Sequence, residues 1–142
     1  MTWNEYHSRS ERYASDAQMA QISRDFDRAK HFYGLAAEQE ELALSALDPS
    51  KARTLGITAV SAAALWYKAG EFEKARELSS LWLKTGLLPP FAEAEIQDLL
   101  SEIENIENLM SAVEEWRASV PVSFLAREKL IRAVEEWKAS AA

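Results

Sequence analysis

The chain has 142 residues, 48% of them hydrophobic and 27% charged, with no cysteine and a net charge of −7. The lack of cysteine excludes disulfides and thiolate chemistry, and the acidic balance argues against nucleic acid as a partner. No run approaches the roughly 18 apolar residues of a membrane span, and the start is polar, so we expect a cytoplasmic protein with no membrane or secretory segment.

Glycine and proline are scarce, at four residues each, which favours long elements with few turns. Apolar residues recur at spacings of three and four, which predicts an all-α fold of about six helices in one domain over residues 1–142. The first helix is predicted over residues 2–22, because Thr2 and Glu5 have the spacing of a capping box. The second is predicted over residues 25–47. Gly34 inside it predicts a close approach of another helix.

Prolines and glycines indicate the next boundaries. Pro49 suits a first helical turn, so the third helix is predicted over residues 49–69, with a face lined mostly by alanine. Gly70 fits the left-handed position that ends a helix, and the fourth helix is predicted over residues 71–85, ending at Gly86.

The fifth predicted helix, over residues 90–118, is the longest. Residues 91–116 contain eight acidic residues and no lysine or arginine. Its apolar residues form a seam resembling a short coiled coil: Ile96, Leu99, Ile103, Ile106, Met110 and Val113. The sixth helix is predicted over residues 122–140, after Pro121.

One weak repeat has a period of 46 residues. Residues 25–29 and 71–75 share the pattern acid, aromatic, acid, base, alanine at the start of a helix. With Trp66 and Gly70 before it, the second copy resembles the helical hairpin of tetratricopeptide (TPR) proteins, most clearly over residues 60–83. The chain departs from that family where Arg24 replaces the turn glycine, where Trp82 replaces a small residue, and in its longer period.

The resemblance implies two TPR-like hairpins over residues 3–88, stacked as a short right-handed array, with helices over residues 90–140 as a cap. In the family, the first helix of each hairpin lines a peptide-binding groove. The corresponding second-copy residues here are Ile57, Val60, Ser61, Ala64, Tyr67 and Lys68. The corresponding first-copy residues are Ala14, Ser15, Gln18 and Gln21. Either a partner helix or the chain's own C-terminal helix is expected to fill this groove.

The sequence predicts no catalytic, cofactor-binding or metal site. Its two histidines, His7 and His31, each share a helix face with one carboxylate, Glu11 and Asp27, and a surface position is favoured for His31. The isolated glycines exclude a phosphate-binding loop. Packing in the core is favoured for each of the five tryptophans.

These features predict a non-catalytic protein-interaction module that binds a protein or helix through the groove or through the seam of the fifth helix. The alternative is a structural, self-assembling protein whose C-terminal helices form a homodimer. No cofactor is expected in either case.

Overall fold

The structure, a computed structural model, describes residues 1–119 and 124–141. These residues form six α-helices and no strand, which confirms the predicted all-α fold. The helices are α1 (Trp3–Ile22), α2 (Phe26–Ala46), α3 (Ala52–Lys68), α4 (Phe72–Thr85), α5 (Pro90–Ser119) and α6 (Phe124–Ala141). The predicted start of the sixth helix at residue 122 lies outside the described residues.

Helix α3 lies at the centre of the packing. It contacts α2, α4 and α5, while α1 packs along α2 and α6 lies against α2. Alanines line these contacts, as predicted for the third helix, and let the helix backbones approach closely. The fully buried ones are Ala17, Ala36, Ala37, Ala43, Ala62, Ala63, Ala75 and Ala92. Among the largest fully buried side chains are Leu55 on α3 and Ile96 and Ile103 on α5.

Thr2 and Asp25 cap the first turns of α1 and α2, as their residue types suggest. The Thr2 hydroxyl accepts a hydrogen bond from the Glu5 amide, and the Asp25 carboxylate accepts one from the Arg28 amide, each at 3.3 Å. These bonds satisfy amides that a helix leaves without an internal partner. Helix α5 begins at Pro90, where proline loses no hydrogen bond.

The turns after α1 and α3 share one hydrogen-bond pattern. After α3, the Glu71 amide donates to the Trp66 carbonyl at 3.0 Å, and the Gly70 amide donates to the Tyr67 carbonyl at 2.9 Å. Gly70 has a φ of +75°, as predicted for the left-handed position. This pair of bonds is the Schellman ending of a helix. It reverses the chain directly into α4.

Pro49 is not in the first turn of α3, which corrects the predicted start of that helix. Helix α3 begins at Ala52, and Pro49 lies in the turn before it. The Asp48 carboxylate accepts the Ser50 amide at 3.0 Å, and the Lys51 amide donates to the Asp48 carbonyl at 3.0 Å. The aspartate therefore closes a local turn that competes with an earlier helix start.

The prediction of a close helix contact at Gly34 was wrong, and Gly56 has that role instead. A Cβ atom built on Gly34 meets no atom within 4 Å. On Gly56 it would lie 2.8 Å from Cγ of Pro89 and 3.0 Å from Cβ of Ala92. Glycine at position 56 thus lets the start of α5 lie directly on α3.

Burial of the tryptophans varies with their position along the bundle. Trp66 is buried, as predicted, but Trp82 is only partly buried, as are Trp3 and Trp137. The core prediction was wrong for Trp116, whose side chain is 45% exposed. The reason is the length of α5, described below.

Candidate functional site

The predicted groove residues of the third helix form one stripe along α3. Ile57 is 48% exposed, Lys68 is exposed, and Val60, Ser61 and Ala64 between them are partly buried. Their spacing brings these five side chains to one side of the helix. The binding role predicted for this stripe stays a prediction.

Tyr67, the remaining predicted groove residue, faces the interior. Its side chain is 9% exposed, and its ring centre lies 5.6 Å from that of Phe72. Burial raises the pKa of Tyr67 above its ordinary value of 10.0, and the charge of Glu102, to which its hydroxyl donates a hydrogen bond, raises it further. Tyr67 therefore belongs to the contact between α3 and α5.

Groove residues from the two hairpins meet around Tyr33 on α2. The Tyr33 hydroxyl donates to Oε1 of Gln21 at 3.2 Å, and Nζ of Lys68 lies 5.7 Å from the centre of its ring. Burial raises the pKa of Tyr33. The other first-copy residues lie farther out: Ser15 and Gln18 are exposed and Ala14 is partly buried. The stripe thus contacts α2 through Lys68 at one end, and Ile57 is exposed at the other.

Helix α5 extends beyond the parts of α3 and α4 on which it packs. Its start lies at Gly56, and Glu102 faces Tyr67, one residue before α3 ends. Glu107 then pairs with Arg76, in the first turns of α4 after the hairpin turn. The helix continues for twelve residues beyond Glu107. At a rise of about 1.5 Å per residue, this segment is about 18 Å long.

We call this segment, residues 108–119, the α5 arm. None of the described side chains on α5 after Ile103 is fully buried. Leu109 is 50% exposed and Trp116 is 45% exposed. These two residues are seven apart, so with Ala112 they form a short apolar stripe on the solvent side of the arm. Large exposed apolar side chains at such spacing are typical of a surface that binds another helix.

The predicted seam of the fifth helix divides into a buried part and a part on the arm. In the first part of α5 the seam residues Ile96 and Ile103 are buried among the core residues of this chain. Only the later seam residues, Met110 and Val113, reach the arm, where they are partly buried. Sequence reasoning missed Leu109, although its spacing of seven from Trp116 marks a second stripe beside the seam.

The two histidines differ in their surroundings: His7 lies between two helices and His31 lies on the surface. Nδ1 of His7 lies 3.1 Å from each carboxylate oxygen of Glu40, and Nε2 lies 3.3 Å from Glu11, the partner suggested by its spacing. Glu40 is 1% exposed, and the Trp3 ring stacks on His7 at 4.6 Å. His31 is exposed on α2, as predicted. The His7–Glu40 pair therefore joins α1 to α2.

Within residues 1–119 and 124–141, no group of three or more histidine, aspartate or glutamate side chains has an arrangement suited to a metal ion. None of the described helices combines the length and apolarity needed to cross a membrane. Comparison with family models, curated proteins and solved structures found no match to this chain.

Proposed function

We propose that this protein is a non-catalytic, cytoplasmic interaction module with a TPR-like hairpin array, and that it docks a helix of a partner protein on the α5 arm. The observation that carries the proposal is the half-exposed pair Leu109 and Trp116, on a helix that extends past its own core. Tryptophan is among the residues most often found to dominate binding energy at interfaces.

The arrangement of the polar residues supports a binding role over catalysis. His7 is engaged by Glu40 and Glu11 in a contact between helices, and His31 stands on the surface. The α3 stripe from Ile57 to Lys68 is a second candidate surface for a protein partner. The acidic residues of α5 favour a partner whose helix carries basic residues beside its apolar face.

A second candidate function is self-assembly through the C-terminal helices. The specific observation is the basic first half of α6, where Arg127, Lys129 and Arg132 are exposed beside one acidic residue, Glu128. These side chains complement the acidic α5 of another copy. In a homodimer of this kind, α6 of one copy would lie along the α5 arm of its partner and cover Leu109 and Trp116.

The test compares the wild-type chain with the double variant Leu109→Lys/Trp116→Lys. Ile22→Lys is the control, because Ile22 is 76% exposed on a different helix, α1. Proteins captured by each immobilised chain are quantified by mass spectrometry, and the mass of each free chain is measured by light scattering. We expect a set of proteins that the double variant loses and the Ile22→Lys variant retains.

A wild-type mass of twice 16.0 kDa that returns to 16.0 kDa in the double variant would establish the self-assembly function instead. Equal capture by all three chains, with a monomeric wild type, would contradict both functions of the arm. Circular dichroism of each variant verifies that the substitutions leave the helices intact.

A further inference from the structure

A second surface lies between α2 and α4, away from the α5 arm. Its floor is Trp66 of α3, and it encloses a volume of about 400 Å³. Helix α2 contributes Glu38 and Glu41 to its walls, and α4 contributes Lys74, Glu77, Leu78 and Leu81. We call it the Trp66 groove. The four α4 residues lie at successive spacings of three, one and three, so a single face of that helix forms the wall.

The position of Lys74 shows that the groove accepts a cation. Nζ of Lys74 lies 4.6 Å from the centre of the Trp66 ring, within the range of a cation–π contact. The Trp66 indole N–H donates to Oε2 of Glu41 at 2.8 Å, which fixes the plane of the ring. The ring thus presents one face to an ammonium group that stands in the groove.

The groove carries more negative charge than the ammonium group of Lys74 can neutralise. Three carboxylates, of Glu38, Glu41 and Glu77, line the groove with one ammonium. In the described part of the chain, none of these four groups forms an ion pair within 4.0 Å. The surplus negative potential therefore attracts a further cation.

Apolar side chains stand beside this charge. Leu81 is 59% exposed, and Leu42, four residues after Glu38 on α2, is 44% exposed. A free inorganic cation would gain nothing from them. A peptide segment that carries a basic side chain beside an apolar residue would contact Leu81 in the wall of the groove while its cation lies over Trp66.

We propose that the Trp66 groove binds a lysine or arginine side chain of a partner peptide, which displaces Lys74 from the Trp66 ring. Lys74 is exposed, and its ammonium group lies at the end of a flexible four-carbon side chain. The ammonium group can therefore move into solvent at a small cost in free energy. Until then it covers the ring, which is only 4% exposed. Lys74 is thus an internal competitor that sets the affinity of the groove.

The test is a titration of the isotope-labelled chain with Nα-acetyl-lysine methylamide, followed by the indole N–H signals of the tryptophans. The Trp66 signal is assigned by its loss in Trp66→Phe. We expect the lysine compound to shift the Trp66 signal, and the norleucine analogue, which has no charge, to leave it in place. The Trp3 signal serves as the reference for non-specific binding, because Trp3 lies on α1 and its indole N–H donates to the Thr58 hydroxyl.

Two variants give the decisive comparison. Lys74→Met removes the competitor and is expected to tighten binding about fivefold, equivalent to about 1 kcal/mol. Lys84→Met makes the same change of net charge at an exposed site in the last turn of α4 and is expected to leave the affinity unchanged. Glu38→Gln/Glu77→Gln is expected to weaken binding.

Three outcomes would overturn the proposal. One is a Trp66 signal that does not respond to the lysine compound. Another is an equal response to norleucine, or an equal response of Trp3. The third is an affinity that Lys74→Met and Lys84→Met change to the same degree, since that would reflect net charge alone. None of these outcomes depends on the α5 arm.

Discussion

Arg24 and Gly70, 46 residues apart, occupy the same left-handed backbone position in two turns of the same hydrogen-bond pattern. Their φ angles are +60° and +75°. The Asp25 amide donates to the Ala20 carbonyl at 2.9 Å, just as the Glu71 amide donates to the Trp66 carbonyl. The two hairpin turns therefore agree in geometry, although only one of them has the residue that suits it.

Arg24→Gly is expected to raise the free energy of unfolding by about 0.5–1 kcal/mol. A side chain at a left-handed position costs energy that glycine avoids, and this gain exceeds the added freedom of the unfolded chain. Urea unfolding followed by circular dichroism measures the change. Gly70→Ala is the reciprocal control, with an expected loss of about 1 kcal/mol. A loss of stability in Arg24→Gly would mean that the arginine side chain contributes more than its backbone costs.

The two helix-interior glycines are expected to respond in opposite ways to alanine. Gly34→Ala should stabilise the chain by about 0.5–1 kcal/mol, because the new methyl group meets no atom and alanine favours the helix. Gly56→Ala should destabilise it by about 1–3 kcal/mol, because the methyl group would force Pro89 and Ala92 away from α3. Denaturant unfolding of both variants checks the pair. A stabilising Gly56→Ala would contradict the close contact between α3 and α5, and a destabilising Gly34→Ala would contradict the open space beside Gly34.

Alkaline pH is expected to weaken the fold through Tyr67. Its pKa is raised in the folded chain, foremost by burial, so folding favours the neutral phenol over the phenolate. The stabilising contribution is complete below the ordinary pKa of 10.0 and is lost as the pH rises above that value. Unfolding free energies measured from neutral pH to above pH 10.0 should therefore fall, and Tyr67→Phe should fall less steeply. Identical pH profiles for the two chains would contradict this role of Tyr67.

The pair of His7 and Glu40 is expected to be important for stability. His7→Ala should cost roughly 3 kcal/mol, because it leaves a buried carboxylate without its donor. His31→Ala, at an exposed site, should change stability by less than about 0.5 kcal/mol. Adding Glu40→Leu to His7→Ala should recover part of the loss, since the unpaired charge is then removed. The stacking of Trp3 is lost in both His7 variants, so the recovery isolates the contribution of the carboxylate.

The features that could be predicted from the sequence depend on nearby residues. The cap at Thr2 and the glycine turn at Gly70 are settled within a few residues of chain, and both are present in the structure. Gly34 and Gly56 look alike in sequence, and only the approach of α5 distinguishes them. The start of α3 was misplaced because the Asp48 turn opposes the preference of Pro49.

The candidate sites were less predictable because they depend on contacts between residues far apart in the sequence. Helical spacing brought the α3 stripe to one face, but it could not show that Tyr67 points towards Glu102 on α5. The cation over Trp66 comes from α4 and the acceptor of its indole from α2. Such a groove requires three helices to be placed, and neither local propensity nor the period of apolar residues supplies that placement.

The continuity of α5 has a mechanical consequence. Its 30 residues form one helix of about 45 Å, and no break separates the arm from the part packed on α3. A partner bound at Trp116 would therefore act on the same unbroken helix whose Ile96 and Ile103 are buried in the core. The other end of that helix follows Pro89, which rests on Gly56 of α3. A force on the arm would thus be borne by packed core residues.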